Sequence, residues 1–406
     1  MTPLIIICIL LFADDMVLIA KSRAELQQLL DIVLKYFDDH KLTISTKKTK
    51  LMTSTKTSGV ISFLGEYSSS PLKVDFVSSF KYLGVTFNSQ PYRLFSDFND
   101  LVLRKCETFA HNILSMSKSG PDRSYMALVL WKTVALPSIL YSVECIPLHA
   151  TTISKIECTQ NRIGKFVLQV PPSSVNIQVL TDAGLIPVRF LICQKVVQYN
   201  KKLRSQPRHN MASICYSQTL STTTKYNQYF ESQLELLPTY PNLPQDIPKA
   251  VNFAVHSYAM GVIPTLTTAH ALTVPDIPSI GTVKSWVTDS KRSSIYASFR
   301  SMNCGLGNRY PTLSGFHSKS CPFCLRNGID SPNNEIHLLI ECNHFEASRK
   351  KSIISRLILG MKSVSAPMTN ASMYRSILDD TKPYRKEVCD GLLTLFSQWE
   401  IDMEST

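Results

Sequence analysis

The sequence lacks any apolar run long enough to cross a membrane. The run PLIIICILLFA at residues 3–13 spans 11 residues and stops at Asp14 and Asp15, whereas a membrane helix needs about 20. The first two residues supply none of the positive side chains that precede the apolar core of a secretory signal. Apolar residues resume directly after the acids. This pattern predicts two buried β-strands joined by a tight turn that carries the acids.

A second apolar stretch, Met126–Leu148, also falls short of a membrane span. Lys132, Pro137 and Glu144 interrupt it. We predict a buried helix followed by an irregular segment, and no membrane partner for the chain.

Acidic residues are scarce relative to basic ones. The 406 residues include 43 Lys and Arg against 31 Asp and Glu, for a formal net charge of +12. This excess favours an anionic partner, either nucleic acid or a membrane surface, although a generically basic protein is the simpler alternative. With 44% apolar and 18% charged residues, the composition is globular, and the length suits about two to three domains.

The cysteine count does not suit a full set of disulfides. Eleven cysteines are spread along the chain, and an odd total fits free thiols better. We therefore expect a reducing compartment, the nucleus or the cytoplasm, for this chain.

Three cysteines and one histidine follow metal-ligand spacing. The pattern is C-x2-C-x12-H-x4-C, formed by Cys321, Cys324, His337 and Cys342. This spacing predicts a structural Zn²⁺ site, and four protein ligands would leave no open position for catalysis. Four unpaired core or surface residues are the alternative. Substitute ligands to consider are His344, Cys304 and His317.

Composition divides the chain into four regions, and we find no internal repeat. Residues 1–90 alternate strand and helix signals, and residues 91–204 are mainly helical. Residues 205–280 hold eight of the 22 prolines, which favours a linker or a loosely structured insert. Residues 281–406 form a basic region around the Cys/His motif.

The first region carries specific local signals. Ser22, with Glu25 three residues later, predicts a capped helix. Its apolar face is formed by Leu26, Leu29, Leu30, Val33, Leu34 and Phe37. A lysine-rich turn follows at residues 47–50, and FKYLGVTF at residues 80–87 predicts a strand containing a glycine bend.

Asp14 and Asp15 form the most conspicuous acidic pair. Adjacent carboxylates repel each other, so they need a cation or a wet site. At a hairpin tip they could hold Mg²⁺, which accepts one or two carboxylates plus substrate phosphates. Ordinary turn chemistry is the alternative.

Several motifs in order resemble the reverse transcriptase of non-LTR (LINE-type) retrotransposons. The first motifs are LLFADDMVLIA, then KLTISTKKTKLM, then FKYLGVTF. Later segments resemble the thumb of that family and the stretch beyond it: ALVLWKTVALPSILYSVECIPL, IECTQNRIGKFVLQVPPSSVN and LTDAGLIPV. The resemblance covers roughly residues 10–200 and again 300–350, where the family has a similar Cys/His element.

The resemblance implies an RNA-directed DNA polymerase that uses two Mg²⁺ or Mn²⁺ ions on an RNA template and a DNA primer or target. Asp14 matches the direct metal ligand and Asp15 the weaker or outer-shell one. Lys48 matches a lysine that assists at the phosphates, with a solvated turn as its alternative. The FKYLGVTF segment matches the strand near the primer, or is ordinary strand packing.

The chain departs from the family in its first residues. The family's site uses a third carboxylate on an upstream strand, but Asp14 is the first acid here, and the fingers are not found. The family's asparagine before the lysine turn is also replaced, near Ser45. We therefore expect the C-terminal half of such an enzyme, inactive alone, with the missing N-terminal polymerase half as a partner.

Two alternative functions stay open. One is a catalytically inactive, retrotransposon-derived protein that binds RNA or DNA. The other is a zinc-stabilised interaction protein without nucleic acid, which the net charge and the ordered motifs disfavour. No endonuclease site is apparent.

A basic segment precedes and includes the Cys/His motif. From residue 290 to residue 329 the chain has six basic residues and no acid: Lys291, Arg292, Arg300, Arg309, Lys319 and Arg326. Interleaved aromatics are Tyr296, Phe299 and Tyr310. Cations can track phosphates while aromatics stack on unpaired bases. A solvated face with core aromatics is the alternative.

The fold class that follows is α+β. The resemblance implies a partial palm with a small antiparallel sheet and a helix, then a helical thumb, then a small zinc-stabilised module. A palm sheet without its upstream strands should leave an exposed edge.

Overall fold

The structure is a computed structural model. It describes residues 8–54, 60–63, 72–90, 93–116, 123–207, 210–220, 224–237, 246–262, 290–300, 320–363, 368–378 and 384–404. The chain forms two compact units, the first made of residues 1–101 and 206–224 and the second of residues 102–205 and 225–406.

The first unit contains short strands arranged in small sheets. In chain order they are β1 Ile9–Phe12, β2 Asp15–Leu18, β3 Lys50–Leu51, β4 Val60–Phe63, β5 Leu72–Phe76, β6 Ser79–Tyr82 and β7 Val85–Asn88. Strands β1 and β2 pair antiparallel, as do β6 and β7. Strand β5 lies between β4, to which it is antiparallel, and β3, to which it is parallel.

The predicted N-terminal hairpin is confirmed, but the predicted burial is wrong for β1. Phe12 pairs with Asp15 across a two-residue turn, in which Ala13 takes a positive φ of 55°. Strand β1 is exposed throughout, and Leu11 and Phe12 are 71% and 62% exposed. The hairpin pairs only with itself among the described strands. Residues 9–12 of the apolar run are exposed, whereas Leu18 of β2 packs against the cluster of Leu30 and Val74.

Helix α1, Arg23–Asp39, begins where the sequence predicted. The Ser22 hydroxyl accepts a hydrogen bond from the Glu25 N–H at 3.2 Å. The Lys21 N–H donates in turn to the Glu25 carboxylate at 2.7 Å, one residue earlier than in the usual reciprocal pair. The apolar face of α1 then places Leu30 against Val74 of β5. A partly buried group packs around this pair, namely Leu18, Leu26 and Leu51.

The segment FKYLGVTF forms a hairpin, which corrects the prediction of one bent strand. Leu83 and Gly84 both have positive φ, at 47° and 83°. Two successive residues with positive φ make the tight turn whose twist suits antiparallel strands. The chain therefore reverses at the glycine instead of bending there.

Helices account for most of the remaining described chain. In chain order they are α2 Arg93–Met116, α3 Arg123–Leu130, a π-helix Trp131–Ala135, α4 Leu136–Ile139, α5 Ala150–Leu168, α6 Asn176–Asp182, α7 Val188–Ser205, α8 Met211–Leu220, α9 Lys225–Leu234, α10 Ile247–Val262 and α11 Ser290–Arg300. The C-terminal set is α12 Pro322–Leu325, a π-helix His337–Glu341, a 3₁₀ turn Asn343–Phe345, α13 Glu346–Lys350, α14 Ile353–Lys362, α15 Asn370–Ile377 and α16 Arg385–Glu404. This mixture of helices and small sheets agrees with the α+β class.

The apolar stretch Met126–Leu148 is helix followed by turns, as predicted. Trp131 is fully buried, and its indole N–H donates to the Gln160 side chain at 3.2 Å. The Gln160 amide donates in turn to the Ile186 carbonyl at 2.8 Å. None of the described helices is both long and apolar enough to cross a membrane.

The proline-rich region 205–280 contains three of these helices, α8, α9 and α10. Within the second unit, α9 and α10 bury Phe230, Val251 and Val255. Cys193 of α7 donates its thiol hydrogen to the Gln233 carbonyl at the end of α9, at 3.2 Å. The described part of the region thus contributes to a core. The four-region division itself stays a prediction.

Helix α11 is held inside the second unit by polar contacts across long sequence distances. The Tyr296 hydroxyl donates to the Leu378 carbonyl at 2.9 Å, and the Tyr374 hydroxyl donates to the Phe299 carbonyl. Trp399 of α16 is also buried. The helices around residue 300 and those near the C-terminus therefore share one core.

Candidate metal centre and nucleic-acid surface

The structure brings the four residues of the Cys/His motif together. The ligand atoms of Cys321, Cys324, His337 and Cys342 all lie within 4.8 Å of one another, and all four residues are buried. In the described part of the chain, this is the one group of three or more such residues placed to hold a metal ion.

The spacing of these atoms fits a tetrahedral zinc ion. Zn–S bonds of 2.3 Å and Zn–N bonds of about 2.0–2.1 Å require S···S edges of about 3.8 Å and S···N edges of about 3.6 Å. The Cys342 sulfur lies 3.9 Å from that of Cys321 and 3.7 Å from that of Cys324. The His337 Nε2 lies 3.3 Å from the Cys324 sulfur. Soft thiolates with one imidazole are a donor set that suits zinc.

The first two ligands sit on a short turn of helix. Cys321 precedes α12, and the Leu325 N–H donates to its carbonyl at 3.0 Å. The Cys321 N–H donates to the Ser331 carbonyl at 2.7 Å, next to the bridge between Ser320 and Pro332. Gly328 takes a φ of +74° in the turn that links α12 to Ser331. The connecting loop therefore folds back on the knuckle.

The last two ligands are positioned by one π-helical turn. The Cys342 N–H donates to the His337 carbonyl at 2.8 Å, a separation of five residues. This wider turn closes the H-x4-C spacing and lets both side chains reach one point. Leu338, Leu339 and Ile340 are buried within it. Single π-helical turns occur frequently at functional sites.

A second layer of contacts orients the histidine. The His337 Nδ1 lies 3.1 Å from the Glu341 carboxylate, which also accepts a hydrogen bond of 2.6 Å from the Asn370 amide. A carboxylate on Nδ1 leaves Nε2 as the atom that faces the cysteines. Metal-bound histidines usually have such a partner.

Arg349 is part of the same element and is buried. Its guanidinium donates to the Leu338 carbonyl at 3.1 Å and to the Cys342 carbonyl at 2.6 Å. Both bonds hold the backbone around the π-helical turn.

The closeness of the three thiols shifts their titration in opposite directions. Hydrogen bonding from Cys342 lowers the pKa of Cys321 to about 4, whereas the same bond raises the pKa of Cys342. Burial raises the pKa of Cys324. Thiols this close cannot all become thiolates without a cation among them.

The substitute ligands are not part of the group as far as the structure describes them. The His344 Nε2 lies 2.8 Å from the Asp402 carboxylate, and its ring stacks on Phe323 at 4.4 Å. Cys304 and His317 lie outside the described residues.

The acidic pair occupies an exposed position. Asp14 lies in the hairpin turn, Asp15 begins β2, and both side chains are exposed. Lys48 is also exposed, in a turn whose N–H groups at Lys48 and Thr49 donate to the Ser45 carbonyl at 3.0 and 2.9 Å. Carboxylate oxygens are hard donors that suit Mg²⁺ or Mn²⁺, so the residue types fit such an ion.

The basic segment separates into different environments. Arg300 is 1% exposed, and its Nε lies 3.0 and 3.2 Å from the two Asp182 oxygens. Its Nη1 donates to the Leu378 carbonyl at 2.6 Å. Arg300 is thus a core residue, which corrects its prediction as a phosphate contact. Tyr296 and Phe299 are likewise buried.

The other basic candidates are only partly described. Arg326 is exposed beside the knuckle. Lys291 and Arg292 lie on the described backbone of α11, but their side chains are outside the description, and Arg309, Lys319 and Tyr310 are outside it altogether. Exposed cations after the knuckle include Lys350, Lys351 and Arg356. Lys350 pairs with Glu346 at 2.7 Å.

One comparison with known families bears on the acidic hairpin. Residues 3–87 match the family of reverse transcriptases, described as RNA-dependent DNA polymerases. The match covers both acids, helix α1, the Lys48 turn and the hairpin β6–β7. Over these residues the chain is similar to RNA-dependent DNA polymerases. A search of curated proteins finds no match to the chain.

Sequence reasoning missed three residues that shape these sites. Glu341 lies four residues after His337, the helical spacing at which a carboxylate reaches an imidazole, so its signal was present. Arg349 and Asp182 carried no local signal. Their partners are carbonyls and a guanidinium that only the tertiary fold brings near.

Proposed function

We propose that the chain acts in the RNA-directed DNA polymerase of a non-LTR retrotransposon. The match of residues 3–87 to reverse transcriptases carries this proposal. The non-LTR type is supported by the order of the motifs and by the Cys/His element that follows the thumb-like segment.

In this proposal Asp14 is a direct metal ligand, Asp15 an outer-shell one, and Lys48 a contact to substrate phosphates. A bound Mg²⁺ or Mn²⁺ pair would activate the primer hydroxyl and stabilise the leaving pyrophosphate. Both carboxylates are exposed, Asp14 in the turn and Asp15 at the start of β2. Each is therefore free to meet a metal–phosphate complex from solvent.

We propose further that this chain alone does not extend a primer. Both acids are exposed, where water screens their charge and each carboxylate binds an ion weakly. The resemblance also implies a third carboxylate, which the Asp14–Asp15 hairpin does not supply. The partner would be a polymerase segment that contributes this acid and covers the exposed strands.

Primer extension tests this part of the proposal. The purified 406-residue chain is incubated with an annealed RNA template, a DNA primer, dNTPs and Mg²⁺ or Mn²⁺. We expect no template-dependent incorporation. Incorporation that disappears in Asp14→Ala would show that the chain is a working polymerase by itself.

The zinc module and the exposed cations form the proposed nucleic-acid surface. It consists of Arg326, Lys351 and Arg356, with Lys291, Arg292, Arg309 and Lys319 as further candidates. Phosphate binding predicts that log affinity falls linearly with log salt. An RNA or DNA oligonucleotide should therefore bind at low salt and lose affinity as salt rises. Affinity that ignores salt would remove this surface from the proposal.

A second candidate is a retrotransposon-derived protein that binds RNA or DNA without chemistry. The contrast between a complete buried Cys/His group and an exposed acidic pair favours it. Supplying a reverse-transcriptase palm and fingers in trans separates the two candidates. Restored incorporation that depends on Asp14 supports the polymerase, and binding without any restoration supports the binding protein.

A further inference from the structure

A groove runs along one face of α5 in the second unit. Its residues come well before the Cys/His group in the chain. Its volume is about 650 Å³, within the roughly 300–1,000 Å³ of small-ligand sites. Residues at helical spacing line it: Cys158, Asn161, Arg162, Lys165, Phe166 and Gln169. The loop after α5 and Asn176, the first residue of α6, complete the wall.

The groove is cationic. Arg162 and Lys165 line it together, and no acidic residue does. The nearest acid on the same helix, Glu157, is bonded to Arg189 through both carboxylate oxygens. Among the described residues Arg162 forms no ion pair. Within the described part of the chain, no acidic side chain neutralises the charge of Arg162 in this groove.

Lys165 is bonded to another residue that lines the groove. Its Nζ donates to the Pro172 carbonyl at 2.5 Å. An ammonium has three N–H donors, and this carbonyl takes one of them. Burial lowers the pKa of Lys165, and an anion bound beside it would offset that desolvation.

Gln169 adds a strained position to the same wall. It is the cap residue after α5, with φ 54° and ψ 37°, in the left-handed region that favours glycine. Its backbone N–H donates to the Phe166 carbonyl at 3.2 Å. Such outliers cluster at binding sites, and here the residue that bears the strain lines the groove with an amide side chain.

The remaining lining suits a flat heteroaromatic group. Phe166 is half-buried and offers a ring. Side-chain amides come from Asn161, Gln169 and Asn176. Amides both donate and accept, as base edges do, and aromatic rings stack on unpaired bases. The two cations suit the phosphate of a nucleotide, and the Phe166 ring and the three amides suit its base.

We propose that this groove binds one unpaired nucleotide of a single-stranded nucleic acid, with its phosphate at Arg162 and Lys165 and its base against Phe166 and the three amides. The inference rests on the proposed function, since it names a second point of nucleic-acid contact. A duplex does not satisfy it, because paired bases present no free face to Phe166.

The exposed thiol of Cys158 gives a local test. The full chain is treated with iodoacetamide, with and without a mixed-sequence single-stranded RNA or DNA oligonucleotide, and each cysteine is followed by mass spectrometry. At about ten times the dissociation constant, alkylation of Cys158 should slow about tenfold. Cys145, also exposed but outside the groove, should react at an unchanged rate. A duplex of the same sequence should protect Cys158 much less.

Four variants test the assignment of the parts. Arg162→Gln with Lys165→Gln should lower the salt slope of binding by about 0.7, the share of one phosphate on a single strand. Phe166→Leu should weaken binding about fivefold or more through lost stacking. Gln169→Gly suits the left-handed backbone, so weaker binding by this variant would not reflect unfolding. Lys155→Gln, exposed on the same helix but outside the groove, is the matched control and should bind as wild type.

The outcomes separate this inference from the proposed function. An oligonucleotide that binds the chain but leaves Cys158 unprotected, or binds the double variant as well as wild type, overturns the groove and leaves the proposed function standing. A wild-type chain that binds no oligonucleotide at low salt overturns both. A phosphorylated peptide that protects Cys158 where oligonucleotides do not would assign the groove to a protein ligand and also overturn the inference.

Discussion

The two candidate metal sites differ in burial and in completeness. Asp14 and Asp15 lie at an exposed hairpin tip and supply two carboxylates in total. The Cys/His group offers four buried ligands within 4.8 Å of one another. The first has the residue types of a metal site, and the second also has the geometry. Burial and mutual distance, which a motif does not reveal, therefore decide how strongly a metal contributes to the fold.

The largest effect should come from removing a ligand of the buried group. Cys324→Ser should reduce zinc from about one per chain to a small fraction and lower the free energy of unfolding of the C-terminal helices by several kcal/mol, because zinc binding is coupled to folding. Elemental analysis and urea denaturation measure both effects. Cys158→Ser, outside the group, should keep its zinc. A wild-type chain that is zinc-free and equally stable would contradict the assignment.

Breaking the buried ion pair should have the next largest effect. Arg300→Ala leaves the Asp182 carboxylate buried without its partner, and we expect a loss of about 3–5 kcal/mol in the free energy of unfolding. The matched control is Arg326→Ala, an exposed arginine whose loss should change stability by about 0.5 kcal/mol or less. Urea denaturation of both variants measures the difference. Equal effects would mean that burial does not separate these two arginines.

A smaller effect should follow from changing the histidine's partner. Glu341→Gln keeps the size of the side chain but removes the charge beside His337 Nδ1, so zinc affinity should fall about 10- to 100-fold. Competition with a chromophoric chelator measures it. Glu346→Gln, an exposed glutamate in the same module, should leave zinc affinity unchanged. Unchanged affinity in Glu341→Gln would show that the carboxylate does not orient the imidazole.

The smallest effect should appear at the hairpin. Asp14→Asn should change the free energy of unfolding by about 0.5 kcal/mol or less, with or without Mn²⁺, because an exposed acid contributes little. Asp39→Asn, also exposed in the first unit, serves as the control. A shift of about 1 kcal/mol or more that requires Mn²⁺ would mean that the hairpin holds an ion tightly on its own.

Short sequence patterns predicted the features that depend on residues close together in the chain. The Ser22 cap, the acids at a hairpin turn and the four metal-ligand candidates all follow from short spacings. The apolar run before Asp14 led to a wrong prediction of burial for β1, because an apolar strand is buried only where another element covers it. FKYLGVTF became a hairpin because two adjacent residues accept a positive φ, one of them a leucine that gives no such signal.

Side chains that act through the tertiary fold were beyond local reasoning. Arg300 sits in a run of exposed-looking cations, and only its pairing with Asp182, 118 residues earlier, makes it a core residue. The same holds for Arg349, whose partners are backbone carbonyls. Charge runs therefore overestimate a nucleic-acid surface wherever a helix turns one of its arginines inward.

Asp182 is synthesised well before its partner Arg300, so their pairing is delayed during translation. At about 5–20 residues per second, a ribosome needs roughly 6–24 seconds after adding Asp182 to add Arg300. During that interval the carboxylate on α6 has no guanidinium, and burying it alone would be costly. The Leu378 carbonyl that completes the Arg300 contacts arrives later still. The Asp182–Arg300 pair can therefore form only after α11 has been translated, and its bond to Leu378 only after α15 has been translated.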